Sequence, residues 1–272
     1  MKFYVIANQK KDEGLKITRK IQSYFVEKGA SCEIGTQQND GNGFYTSPDQ
    51  IPQGTDVIIV LGGDGTILDV SRAAIIRDIP ILGINMGTMG YLAQVEVEGI
   101  ERALDRVLSG DYRLEKRMML EGIYDGQSTH ALNDITITRN GTLRMVPFEL
   151  YVNGKLLRFL RADGIIISTP TGSTAYNMSA GGPIIEPCAQ MMVITAICPH
   201  TLNLRSIVLS AEDVIEIEIV GSRCEVSAFF DGSNGTVLEK GKRIQIRRSA
   251  HETKLISLSD ISFLDLLQNK MN

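Results

Sequence analysis

The chain has 272 residues, of which 43% are apolar and 22% charged, and its formal net charge is −4. That length buries one large or two ordinary cores, and the fractions describe a globular protein. The acidic balance excludes a general basic surface for nucleic-acid backbones, so an anionic ligand must be held locally, by backbone amides, a few cations or a metal ion. Cys32, Cys188, Cys198 and Cys224 lack Cys-x-x-Cys spacing and read as reduced, mostly buried thiols of a cytoplasmic protein. His130, His200 and His251 have no metal-ligand spacing, and the longest apolar runs, such as Met191–Cys198, are too short to span a bilayer.

In chain order, Phe3–Ala7 predicts a strand that ends at Lys10-Lys11, not a signal peptide. Leu15–Lys28 sets Ile17, Ile21, Tyr24 and Phe25 on one helical face and stops at Gly29. Cys32–Gly35 predicts a second strand. Gln37–Gly54 is polar and rich in Gly, Asn and Asp, and reads as a mobile loop. Val57–Leu61 is a buried-type strand running into Gly62-Gly63-Asp64-Gly65-Thr66, with Thr66 as the expected cap of a helix over Ile67–Arg77. Ile81–Ile84 and Ile100–Leu108 continue as strand and helix, the latter closed by Gly110. This alternation implies a Rossmann-like parallel sheet with right-handed crossovers, an α/β domain over residues 1–110.

From Tyr112 the pattern changes. Asp125-Gly126, Asn153-Gly154 and Asp231-Gly232 are hairpin turn signals. Ile215–Ile219 and Arg243–Arg247 alternate with period two, as half-buried strands do. An all-β sandwich over residues 111–255 follows. Ser259–Lys270 breaks the trend: Phe263, Leu264, Leu266 and Leu267 predict a terminal helix, within 256–272, that returns to the first domain.

Two loops carry the chemistry. Thr169 to Pro183 holds hydroxyls and glycines at a density no core segment needs. Hydroxyls donate and accept without charge, and glycines let backbone N–H groups approach a ligand closely. Thr171 and Thr174 suit an adenine edge or a ribose, and Tyr176 suits a flat ring. The turn Gly62-Gly63-Asp64-Gly65-Thr66 lies between a strand and a helix start, where amides meet phosphates. A carboxylate there repels phosphate unless it serves some other purpose. It could hold Mg²⁺ or accept a proton from an attacking hydroxyl. Phosphoryl transfer tolerates so weak a base, because its transition state is loose and catalysis is mostly positioning and charge neutralisation. Asn133-Asp134, inside an apolar stretch that disfavours both residues, and Asp163, just before the hydroxyl-rich loop, are further polar islands.

Those blocks, together with Gly83-Ile84-Asn85-Met86-Gly87, Gly90-Tyr91-Leu92 and Cys198-Pro199-His200-Thr201-Leu202, resemble the NAD kinases, which phosphorylate the adenosine ribose 2′-hydroxyl of NAD to make NADP. The match runs in order from about residue 56 to residue 232. The resemblance implies an N-terminal α/β domain, a C-terminal β-sandwich, an active site in the cleft between them and a homo-oligomer, a dimer or tetramer. It implies Asp64 as the catalytic base and Gly62, Gly63, Gly65 and Thr66 as the donor-phosphate turn. Gly65, Tyr91, Asn133, Asp134, Asp163, Thr171, Thr174, Ala175, Tyr176, Ser179 and His200 are the implied NAD contacts, with Asp163 able to reach a neighbouring subunit's ligand. ATP or polyphosphate is the expected donor, with Mg²⁺. Rival readings are a lipid kinase sharing the glycine turn, a non-catalytic NAD(P) sensor and an oxidoreductase. The last is disfavoured because Lys10-Lys11-Asp12 stands where Gly-x-Gly-x-x-Gly would follow the first strand.

Overall fold

The computed structural model describes the whole chain except residues 36, 40–43, 88–89, 94, 142–143, 202–203, 222–223, 259–261 and 272. The chain forms two compact units, Met1–Arg117 with His251–Asn272, and Met118–Ala250.

The first unit comprises β1 (Lys2–Ala7), α1 (Lys16–Glu27), β2 (Ser31–Gly35), β3 (Gln38–Asn39), β4 (Phe44–Tyr45), β5 (Val57–Gly62), α2 (Asp64–Ala74), β6 (Ile81–Asn85), β7 (Val95–Glu96), α3 (Ile100–Ser109) and the start of β8 (Arg113–Tyr124). Strands β6, β5, β1 and β2 lie side by side, all parallel. Every residue of β5 is buried, as expected for a strand covered on both faces. The core joins Phe3, Val5, Ile59 and Leu61 of the sheet to Ile21 and Phe25 of α1 and Leu104 and Val107 of α3. The rings of Phe3 and Phe25 stack at 3.8 Å. Helix α1 starts where the buried Asp12 carboxylate accepts N–H bonds from Ile17 and Thr18 and the Thr18 hydroxyl, satisfying amides that a helix start leaves open.

Three expectations for this unit change. Helix α2 begins at Asp64, three residues before the expected start, and Gly63, not Thr66, is its N-cap. The Thr66 side chain is buried against Gly62, where an added methyl would lie 2.3 Å from Thr66 Oγ1. Gln37–Gly54 is not a structureless loop: β3 and β4 pair Gln38 with Tyr45 and Asn39 with Phe44, Ser47 and Gln50 form a capping box, and Ile51 is fully buried. Residues 36 and 40–43 of that region lie outside the described residues.

The second unit comprises the rest of β8, then β9 (Gln127–Ala131), β10 (Asp134–Arg139), β11 (Val146–Val152), β12 (Lys155–Ala162), β13 (Gly164–Ser168), α4 (Tyr176–Ser179), β14 (Met191–Ile197), β15 (Ile207–Ser210), β16 (Ile215–Ile219), β17 (Val226–Phe230), β18 (Ser233–Leu238) and the first part of β19 (Arg243–Ser257). One antiparallel sheet runs β12-β11-β16-β19 and the other β15-β14-β13-β10-β17-β18. Alternate residues of both, Phe148, Leu150, Ile215 and Ile217 from the first and Ile135, Ile137, Ile165 and Ile167 from the second, form one core. The three Asp/Asn-Gly pairs close the hairpins β8–β9, β11–β12 and β17–β18, both residues of each turn having positive φ, the requirement of a type I′ turn.

The unit divisions fall at Arg117/Met118 and Ala250/His251, inside β8 and β19, where composition suggests residues 110 and 255. The end of β19 pairs Leu255 with Ile81 of β6. Helix α5 (Phe263–Met271) belongs to the first unit. Its Leu266 is buried and its Lys270 ammonium sits 4.5 Å above the Tyr91 ring, but Leu264, expected on the packed face, is 71% exposed. Residues 259–261 of the expected helix lie outside the described residues. Among the described residues no helix is long and apolar enough to cross a membrane. The cysteines are free, but only Cys32 is buried; Cys188 and Cys198 are exposed, against the expectation of mostly buried thiols.

Candidate active site

In the first unit the site grows from the end of β5. Gly62 closes the strand, Gly63 caps α2, and Asp64 opens the helix, so the first amides of α2, which have no intrahelical acceptors, belong to this turn. The Asp64 side chain turns to the segment after β6. One oxygen accepts the Tyr91 N–H (2.8 Å), and the other accepts those of Leu92 (3.1 Å) and Ala93 (3.2 Å). A carboxylate offers about four acceptor positions, of which amides of the described residues take three. Gly90 makes room for this: a methyl there would lie 1.9 Å from Asp64 Oδ1. Gly83 is confined in the same way between Ile67 and Ala93. Tyr91 is half-buried, and burial, then the Asp64 charge, raise its phenol above the ordinary value.

In the second unit the hydroxyl-rich loop is clamped to Leu132-Asn133-Asp134. Thr169 N–H donates to Asn133 O (2.9 Å), and Thr169 Oγ1 donates to Leu132 O (2.6 Å) and accepts the Gly172 N–H (3.0 Å). A methyl at Gly172 would strike Asn133 O at 2.1 Å, so only glycine allows this approach. Asn177, fully buried, staples the loop: its amide donates to Ser173 O and Pro183 O, and its oxygen accepts the Thr195 hydroxyl. The Ser173 hydroxyl donates to Pro170 O and accepts the Ile185 N–H. From the far side the Asp231 carboxylate accepts the N–H groups of Leu132, Asn133 and Asp134.

The structure therefore brings Asn133, Asp134, Thr171, Thr174, Ala175, Tyr176 and Ser179 together at one end of the β10–β13 pair. Thr171 is 5% exposed, and its hydroxyl has no partner among the described residues. A buried hydroxyl without a partner costs about 1–3 kcal/mol, which a ligand contact removes. Tyr176 is 47% exposed, a ring open to stacking. Asp134 is buried and bonded to the Thr136 hydroxyl. Burial, reinforced by the Asp231 charge and opposed by Thr136, pushes its carboxyl up to about 6.

Asp163 and His200 are not brought to that end. Asp163 pairs with Arg139 (3.0 Å), and His200 N–H donates to Arg161 O. They sit at the opposite end of β13, on the order of 20 Å from Thr169 at about 3.3 Å per residue. Thr88 and Leu202, part of the blocks singled out in the sequence, lie outside the described residues. Sequence reasoning missed Asn177, Asp231 and Gly90 as the residues that fix the loops. Asp231 carried a signal, the Asp-Gly turn, which a hairpin alone explains; only the fold shows its carboxylate gripping a second strand.

In one unit a glycine turn and a tethered carboxylate stand at a helix start, and in the other a hydroxyl-rich loop presents an open aromatic ring; each is a feature of nucleotide-binding proteins. Comparison with known proteins agrees. Residues 18–112 match the ATP-NAD kinase N-terminal domain, and residues 132–258 match the ATP-NAD kinase C-terminal domain. An NAD kinase of Lachnospira eligens is 42% identical over 99% of both chains, and one of Lachnoclostridium phytofermentans is 41% identical over 99% of this chain and 98% of its own. Among solved structures, an NAD kinase from Archaeoglobus fulgidus in complex with ATP is 26% identical over 94% of each chain with a TM-score of 0.79. The yeast NADH kinase complexed with NADH shares the fold, with a TM-score of 0.87 at 23% identity over all of this chain and 87% of its own. The chain belongs to the NAD kinase family and is an enzyme, a kinase that phosphorylates NAD.

Proposed function

We propose that the chain transfers the γ-phosphoryl group of ATP to the 2′-hydroxyl of the adenosine ribose of NAD, with Asp64 accepting the hydroxyl proton. The observation that carries this is the Asp64 carboxylate, held by three amides, with one of its roughly four acceptor positions not taken among the described residues. Three bonds fix the direction of the carboxylate, as a group that must meet a hydroxyl requires. The O2′–Pγ bond forms as the bond from Pγ to the β-phosphate oxygen breaks, ADP leaves, and the proton passes to Asp64. The ATP complex of the Archaeoglobus relative supports ATP as donor; polyphosphate is the alternative donor. Asn133, Asp134, Thr171, Thr174, Ala175, Tyr176 and Ser179 are assigned to the adenosine, and Gly65 and Tyr91 are assigned as further NAD contacts. The unpartnered Thr171 hydroxyl supports this assignment.

Among the described residues no group of three or more His, Cys, Asp or Glu could cage a metal. With the Asp64 carboxylate given to the ribose hydroxyl, Mg²⁺ would arrive on the triphosphate and be held chiefly by its phosphate oxygens and by water, as this ion often is. Bound there, it would neutralise charge on the phosphate oxygens. Asp163 and His200 serve a second copy of the chain in a dimer or tetramer, a reading supported by their distance from Thr169 and by the exposed Leu156, Leu157 and Phe159 on β12. Four free cysteines suit a reducing cytoplasm. The test is product analysis: purified protein, Mg²⁺, NAD and ATP should yield a dinucleotide whose new phosphorus resonance is that of a 2′-phosphomonoester and which an NADP-specific dehydrogenase reduces. Absence of that product with ATP and with polyphosphate overturns the reading.

A further inference from the structure

We infer that Lys11 is a contact for the donor phosphates, its ammonium group closing over the glycine turn to neutralise the transferring end of the triphosphate. The inference rests on the kinase reading above. A methyl built on Gly63 would lie 3.5 Å from Lys11 Nζ, and one built on Gly87 would lie 3.3 Å from it. The ammonium thus covers two bare backbone positions at the ends of two neighbouring strands, β5 and β6. It has no hydrogen-bond or ion-pair partner among the described residues, and the adjacent Asp12 carboxylate is taken up by Ile17 and Thr18. An unpaired cation above glycines suits a multiply charged anion, whose approach Asp64 alone would oppose.

Asn85 supports this independently. It is 4% exposed, and its amide donates to Gly87 O (2.7 Å), fixing that backbone near the ammonium. Its own Oδ1 is buried with no partner among the described residues. Such an atom calls for a donor that comes with a ligand, a hydroxyl or a phosphate-bound water.

The test uses the full chain with Lys11→Ala, Lys11→Gln and Lys11→Arg, varying ATP and NAD separately. Ala and Gln should raise KM for ATP at least about tenfold, leave KM for NAD within about twofold, and weaken inhibition by ADP in parallel; Arg should recover most of the loss. The melting temperature should not move, because the side chain is exposed and unbonded. An ATP KM within about twofold of wild type in the Ala and Gln variants, or ATP and NAD KM rising together, overturns the inference. A wild-type protein that makes no NADP instead overturns the kinase reading; calorimetric titration of ATP into wild type and Lys11→Ala then still decides the role of Lys11, and equal affinities reject it.

Discussion

Burial pushes the Asp134 carboxyl up to about 6, from an ordinary value of 3.8, so between those two values of pH the folded protein holds a proton there that the unfolded chain has lost. The stability this protonation supplies is complete below about pH 4 and is lost as pH rises through about 6, a swing of about 3 kcal/mol at most. Urea melts from pH 4.5 to 7.5 should show that loss in the wild type and a flatter profile in Asp134→Asn. A ribose or adenine donor bonding to the carboxylate favours its ionised form, so NAD should bind several-fold more weakly at pH 5 than at pH 7.5, as calorimetry at the two pH values would show. Thr171 offers the opposite contrast. Thr171→Val removes a buried hydroxyl without a partner and should leave the melting temperature unchanged or higher, while KM for NAD rises about tenfold. A fall in stability with unchanged KM would assign the hydroxyl to the fold instead. Of these roles, the residue types were legible in the sequence because hydroxyls and glycines are dense there. The raised carboxyl was not, because it comes from burial and from Asp231, 97 positions away.

Elements are held by single polar side chains that sequence patterns do not reveal. Asn177 ties Ser173, Pro183 and Thr195, so Asn177→Ala leaves several buried groups unpaired and should cost about 2–3 kcal/mol, with KM for NAD rising as the loop loosens. Asp12 ties the start of α1, and Asp12→Ala should lower stability by about 1–3 kcal/mol with KM for NAD unmoved. Its carboxyl is raised by burial but lowered further by the Thr18 and Ile17 bonds, the net shift being downward. Its contribution is therefore present above the ordinary carboxylate range and lost as pH falls through the lowered value. Denaturant melts with parallel kinetics separate these two variants. The Asp/Asn-Gly turns were readable because a type I′ turn is specified by two adjacent residues. The start of α2 was not, because Thr66 looks like a cap, whereas the helix takes Asp64 into its first turn, where a negative charge favours the dipole.

At the scale of the whole molecule, alternation of strand and helix and then of apolar and polar residues specified an α/β unit followed by a β-sandwich, since each follows from local periodicity. The unit divisions were illegible because β8 and β19 run through them without a break in composition. The pairing in Gln37–Gly54 was illegible because its strands are two residues long and carry no period. The role of Lys11 needs β5 and β6 side by side, a relation no local window contains. The most direct test of the account is to measure turnover and NAD affinity together for wild type and Asp64→Asn. Wild type should form NADP from NAD and ATP, and the variant should lose about 10²-fold or more in kcat while its Kd for NAD stays within about threefold. Near-wild-type turnover by Asp64→Asn, or no NADP from the wild type, would contradict it.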